Sequence, residues 1–147
     1  MFERRFIAGA AEMDYNAHMR NSAYLDMCSD VRFLFFAEHG FSADEFSSRA
    51  FGPVVMHDDI SYRAEVRLLE EVTVGLALAG LADDGSRFIL RNEIRKTDGT
   101  LAAAVSSTGG WLDLSKRRLM APPGELLDAL RELDRTDDFD VLPSSVK

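Results

Sequence analysis

Residues 21–39, NSAYLDMCSDVRFLFFAEH, constrain the fold of this chain more than any other stretch. Tyr24, Met27, Cys28, Val31, Leu34 and Phe35 recur at three- and four-residue spacing, which places them on one face of a helix. Asn21 or Ser22 is positioned to cap its start, and Gly40 to stop it. Phe33 and Phe36 fall off that face, and a helix apolar on more than one side is enclosed rather than laid on a surface. Such a helix is roughly 27 Å long. A strand of about 8–10 residues has the same span. Long strands wrapped around this one helix would bury it.

The flanking sequence supplies such strands. Glu3–Ala11 reads as a strand ending in the polar loop Asp14-Tyr15-Asn16-Ala17-His18. Beyond the helix, Val54–Val66 alternates in part through Val55, Ile60, Tyr62, Ala64 and Val66, and Glu71–Leu81 carries the β-branched run Val72-Thr73-Val74. Asp84-Gly85 then separates Glu71–Leu81 from Arg87–Lys96, and Asp98-Gly99 separates Arg87–Lys96 from Leu101–Leu114. An Asp-Gly pair between apolar runs is a hairpin signal, here twice in succession. Gly109-Gly110 is expected to mark a bulge or bend in the last strand. The class is therefore α+β: an antiparallel sheet in the order β-α-β-β-β-β around one long helix. A short amphipathic helix over Pro123–Leu133 comes next, and the final RTDDFDVLPSSVK is expected to be loose or draped over a partner. With 147 residues, 1–122 form the main body and 123–147 an appended helix and acidic tail of the same single domain.

Chemistry concentrates just ahead of the long helix, in DYNAHMRNSAYLDM. A helix start presents unpaired backbone N–H groups and about half a positive elementary charge. A carbonyl oxygen becoming an oxyanion is stabilised there, one donor being worth roughly 2.7–4 kcal/mol in the transition state. A nearby carboxylate such as Asp14 can attack the carbonyl or act as general base toward water. Asp and Asn also stand before helices simply as caps, so the residue types alone leave both roles open.

The run Asp14-x-x-x-His18-x-x-Asn21-x-x-Tyr24 entering a long helix resembles the signature of hotdog-fold acyl-CoA thioesterases, within them the 4-hydroxybenzoyl-CoA thioesterase-like group. Ser61-Tyr62-Arg63 with Glu71-Val72-Thr73-Val74, and Trp111-Leu112-Asp113-Leu114 with Lys116-Arg117-Arg118, extend the likeness over about the first 120 residues. The resemblance implies the hotdog fold and hydrolysis of an acyl-CoA to free acid and coenzyme A. It puts Asp14 at the catalytic carboxylate position and the Asn21 N–H at the oxyanion donor. His18 and Tyr24 fall at positions that shape the loop and acyl pocket. Arg20 stands where the family usually has a small or polar residue, which bears on the acyl group accepted. Some hotdog enzymes carry the acid within the helix; Asp26 and Asp30 point away from the main stripe. Sites in this family are generally built between subunits, which implies a homodimer or a homotetramer made as a dimer of dimers. His57 and Asp59, sharing one strand face, are then candidates to reach the Asp14 site across the interface. Two other readings stay open: a hotdog protein acting on acyl carrier protein, and a non-hydrolytic acyl-thioester-binding module.

No Cys/His cluster has metal spacing and no phosphate-binding glycine loop is present, so neither metal nor other cofactor is expected. Cys28, the single cysteine, lies on the apolar stripe, fits a core residue and excludes an intrachain disulfide. With no long apolar run and no leader-like N-terminus, a cytoplasmic, non-membrane protein is expected. A net charge of −8 argues against nucleic acid as a partner. That charge is uneven: residues 123–147 contribute −4, and 14 of the 17 cations are Arg. Because salt screens charges beyond about 8 Å, local clusters decide anion binding. Arg63, Arg67, Arg87, Arg91, Arg95 and Lys96 sit on or beside strands, and Lys116-Arg117-Arg118 is the first choice for coenzyme A phosphates.

Overall fold

Helix α1 (Asn21–Glu38) buries Ala23, Tyr24, Met27, Cys28, Val31, Arg32, Phe35 and Phe36 in a computed structural model that describes residues 1–146. The buried arc is wide, as an enclosed helix requires, but it is not the arc that spacing alone suggests. Phe36 extends it, packing edge-on against Trp111 with ring centroids 5.5 Å apart. Leu34 and Phe33 are exposed and line a shallow apolar groove with Phe6, Phe41 and Phe46. Neither Asn21 nor Ser22 is the N-cap. Arg20 holds that position with extended backbone and no side-chain cap, so Asn21 is the first helical residue. The helix stops at His39, and Gly40 comes next with φ +89°, the left-handed step that glycine makes at little cost.

The sheet is built from β1 (Phe2–Ile7), β2 (Phe51–Tyr62), β3 (Glu71–Ala82), β4 (Arg87–Lys96), β5 (Leu101–Asp113), a short β6 (Arg118–Met120) and β7 (Arg135–Leu142). Its order is β1-β3-β4-β5-β2, with β6 on β5 and β7 on β3. Both Asp-Gly turns form as the spacing predicts, Gly85 and Gly99 taking φ +76° and +88°. The β3, β4 and β5 spans match the sequence expectation to within a residue.

Three departures have local causes. A helix α2 (Ala43–Arg49) precedes β2, begun by Ser42 Oγ accepting the Glu45 N–H and ended by Ala50 in the left-handed region. Ser42-x-x-Glu45 is a capping-box pattern that sequence could have revealed. Strand β2 therefore starts at Phe51, earlier than expected, and its Pro53 is tolerated because the strand is an edge. The strand ends at Tyr62; Arg63 and Ala64 N–H both turn onto the Ala102 carbonyl, and the buried Val66 belongs to the loop beyond. The irregularity expected at Gly109-Gly110 lies instead in the facing strand, between Val55 and His57. Gly109 is needed for close approach: a Cβ there would collide with the Val54 carbonyl oxygen and come within 2.8 Å of the Phe88 ring.

The tail is neither loose nor free for a partner. α3 (Gly124–Glu132) buries Leu126 and Leu130. β7 then pairs parallel to the second half of β3, which the six-residue β1 leaves uncovered. Phe139 packs on the core, and Arg135 lies 4.2 Å over its ring. Asp138 grips Arg91 through two hydrogen bonds of 2.6 and 3.0 Å. The acidic segment thus neutralises part of the Arg-bearing sheet.

Candidate functional site

The loop between β1 and α1 is shaped by Asp14. Its Oδ1 accepts the Asn16 N–H at 2.8 Å and the His18 N–H at 3.1 Å, an Asx turn that fixes the carboxylate. The turn closes through Ala17 in the left-handed region, φ +59°, a conformation that strains a residue bearing a Cβ. The Met19 N–H donates to the Val66 carbonyl at 2.7 Å, and the Arg20 N–H to the Glu12 carbonyl at 2.8 Å. These bonds pin the chain as it turns into α1. The Arg20 guanidinium reaches back to the Ala11 carbonyl, to Ser22 Oγ at 3.0 Å and to Asp26 at 3.7 Å. Its side chain latches the loop to the helix and lines no part of the cavity beside it.

That cavity, about 370 Å³, is lined by Asp14, His18, Met19, Asn21, Tyr24, Tyr62, Arg63, Ala64 and Glu65. All four motif residues, Asp14, His18, Asn21 and Tyr24, meet in it. The N–H of Asn21, in the first turn, has no acceptor within the helix by geometry. Tyr24 is buried, its hydroxyl 3.4 Å from the Ala64 carbonyl, and burial raises its pKa above the ordinary phenol value. Tyr62, which its sequence marks only as a strand residue, closes the wall: it packs edge-on against Tyr24 at 5.3 Å and its hydroxyl donates to the Asn21 carbonyl. Glu65 sits 3.3 Å from His18 Nε2. The loop after β2 thus completes the site, a fact visible only once Met19 and Val66 are paired.

The other candidates lie elsewhere in the chain. His57 and Asp59 are in the middle of β2, facing Thr108 and Ser106 of β5. Asp59 acts on Arg91, whose Nε donates to Ser106, so this pair faces away from the helix. Asp58 takes the opposite face, where it accepts from the buried Ser107 hydroxyl. Lys116 and Arg117 lie in the turn after β5 and Arg118 opens β6, beside Phe51, at the far end of β2 from Tyr62. Asp26 and Asp30 are exposed. Of the remaining sheet cations, Arg91, Arg95 and Lys96 are paired with Asp138, Glu93 and Glu70.

Cys28 is fully buried, and desolvation pushes its thiol up to about 12, consistent with a core residue rather than a nucleophile. Arg32 is the unexpected buried charge: Nε donates to Asn92 Oδ1 at 2.9 Å, and burial lowers its pKa. Among the described residues no helix is long and apolar enough to cross a membrane.

Comparison with known proteins sets this geometry in a family. The architecture is similar to a Staphylococcus aureus hypothetical protein solved in complex with CoA, with 24% identity, a TM-score of 0.83, and 99% of this chain and 90% of that one covered. A 1,4-dihydroxy-2-naphthoyl-CoA thioesterase from Synechocystis is similar at 19% identity and TM-score 0.80, over 90% of this chain and 96% of that one. A probable thioesterase from Escherichia coli is similar at 22% identity and TM-score 0.72, over 90% and 98%. At these identities the likeness establishes the shared hotdog fold. No curated protein sequence matches significantly. The family profile described as the thioesterase-like superfamily matches residues 8–130, which include the whole Asp14 cavity and most of the sheet, and the chain belongs to that superfamily.

Proposed function

We propose that the protein hydrolyses an acyl-CoA at the Asp14 cavity. The observation that carries this reading is the convergence of a fixed carboxylate, a helix N-terminus and two tyrosines on one cavity of about 370 Å³. The thioester carbonyl docks against the first turn of α1, where the Asn21 N–H polarises its oxygen. Asp14 keeps Oδ1 on two backbone donors of its own turn, and in this reading Oδ2 is the oxygen that does the chemistry. It either attacks the carbonyl carbon or takes a proton from an attacking water. Both routes pass through a tetrahedral oxyanion that collapses by breaking the C–S bond and releasing the coenzyme as thiolate. In the first, water then cleaves the acyl–Asp14 anhydride; in the second, the acid forms directly. His18 and Tyr24 hold the loop and wall.

The working unit in this reading is a dimer. Strand β2 is a 12-residue edge, hydrogen-bonded on one side only, with Val55, Met56 and Tyr62 about half exposed. Such an edge is a template for another strand. Antiparallel pairing with a second β2 is isologous. It lays the partner's Phe51 end, with its Lys116–Arg118 turn, beside the Tyr62 end of the first chain. Within one chain these ends are about 36 Å apart at the usual strand rise. Pairing therefore reconciles the basic turn with a site it does not reach in its own chain, and brings His57 and Asp59 close to the two-fold axis.

The test is thiol release over a panel of acyl-CoAs by wild type and Asp14→Asn. Loss of release in a variant that still binds coenzyme A supports the assignment. Wild-type rates in the variant contradict it.

A further inference from the structure

The acidic tail treats two neighbouring sheet arginines differently. It gives Arg91 a carboxylate, Asp138, whereas among the described residues it gives Arg87 only a hydroxyl, Ser145 Oγ, at 3.1 Å from Nε. The last described residues are tied down by a small knot. Ser144 Oγ hydrogen-bonds Asp84 and the buried Ser86 hydroxyl, and the Ser145 N–H donates to Ser86 Oγ at 2.8 Å. So held, Ser145 and Val146 form one wall of a cavity of about 640 Å³ whose other walls are Asp113, Lys116, Arg118, Leu119, Met120 and Ala121. Among the described residues, Arg87, Lys116 and Arg118 have no carboxylate within 4 Å. The one acid in the wall, Asp113, spends Oδ1 on the N–H groups of Ser115 and Lys116. In a chain of net charge −8, two cations lining one cavity, with Arg87 behind its Ser145 wall, mark an anion site.

We propose that the C-terminal strap, residues 143–146, is a working wall of a phosphate-binding pocket. It sets Ser145, backed by Arg87, opposite Lys116 and Arg118, so that the cavity takes the phosphate-bearing nucleotide end of a coenzyme A ester. Ser144 is a positioning residue: it touches Asp84 and Ser86, not the ligand. The inference rests on the acyl-CoA reading for the identity of the ligand, and assigns the tail a part in affinity for the coenzyme rather than in chemistry. In the paired dimer this pocket serves the Asp14 site of the partner chain.

Calorimetric titration with coenzyme A and with pantetheine, which lacks the nucleotide phosphates, tests the proposal in the 147-residue chain, in Ser144→Ala and in a chain ending at Leu142. Loss of the knot is expected to raise the Kd for coenzyme A about fivefold, the scale of one or two hydrogen bonds, and to leave pantetheine binding unchanged. In turnover the same variants raise KM for a CoA ester and leave kcat unaltered. Should the truncated chain fail to fold, Ser144→Ala carries the test. Coenzyme A binding unchanged in Ser144→Ala, while Arg118→Glu weakens it, overturns the role of the strap. Equal losses for coenzyme A and pantetheine also overturn it, since they mark a general structural effect. Strap-dependent coenzyme A binding in a protein that releases no thiol from any acyl-CoA upholds the pocket and removes the hydrolase reading instead.

Discussion

Two aspartates build nearly the same turn at opposite ends of β2. Asp14 Oδ1 accepts the N–H groups two and four residues on, and the turn closes through Ala17 at φ +59°. Asp113 Oδ1 accepts those two and three residues on, and its turn closes through Arg117 at φ +55°. The two turns lead into different surroundings. The first delivers the chain into an 18-residue helix whose first residue lines a cavity with the carboxylate. The second delivers it into a three-residue strand beside cations, where hydrogen bonds from Lys116 and Ser115 N–H and the nearby Lys116 and Arg118 charges hold Asp113 below the usual carboxylate range. The Asx turn is a local device for fixing a carboxyl group. Whether that group does chemistry depends on what the fold places next to it.

The same substitution made in both turns separates their roles. Asp14→Asn is expected to lower kcat about a thousandfold, the scale of losing a positioned acid–base group. Asp113→Asn is expected to leave kcat within about twofold, because its amide oxygen still accepts the turn N–H groups. Steady-state kinetics on one acyl-CoA checks both. Gly109→Ala tests the strand pairing that joins the two ends. With the new methyl driven into the Val54 carbonyl and the Phe88 ring, about 2 kcal/mol of stability should be lost in urea unfolding.

The left-handed residues that close these two turns give a smaller, paired effect. Ala17→Gly and Arg117→Gly each relieve a left-handed residue and are expected to stabilise by about 0.5–1 kcal/mol after the entropy of glycine is subtracted. Ala17→Gly should do so without a change in KM, whereas Arg117→Gly removes a cation from the basic turn and should raise KM for a CoA ester. The smallest effect concerns the tail. Arg91 holds Asp138 at about 2, below its ordinary 3.8. A depressed carboxylate supports the folded state above its unfolded pKa, and that support fades as pH falls through the folded value. Protection factors of the β7 amides, corrected for the intrinsic pH dependence of exchange, should therefore fall as pH falls from about 4 to about 2, and Asp138→Asn should remove that dependence.

The first turn was legible in sequence and the second only in part. Asp14, His18, Asn21 and Tyr24 are close along the chain, so one helix start suffices to gather them. Tyr62 lies 41 positions from Asn21, and it enters the site with Glu65 only because Met19 pairs with Val66. The helix and the two Asp-Gly hairpins were readable because their signals are local. Strand β7 was not: Asp137, Asp138 and Asp140 mask its pattern, and what makes it a strand is the half of β3 left open by the short β1. The same long-range fact takes Arg91 out of the sheet cations open to an anion, since the residue that neutralises it lies 47 positions downstream.

Turnover of an acyl thioester at the start of α1 is tested most directly by the time course of free thiol and free acid. The measurement uses a panel of acyl-CoAs with a catalytic amount of wild-type protein. Many turnovers on at least one ester are expected, with one thiol released for each acid. Tight binding of acyl-CoA with no release from any member of the panel would contradict this and mark the protein as an acyl-thioester-binding module.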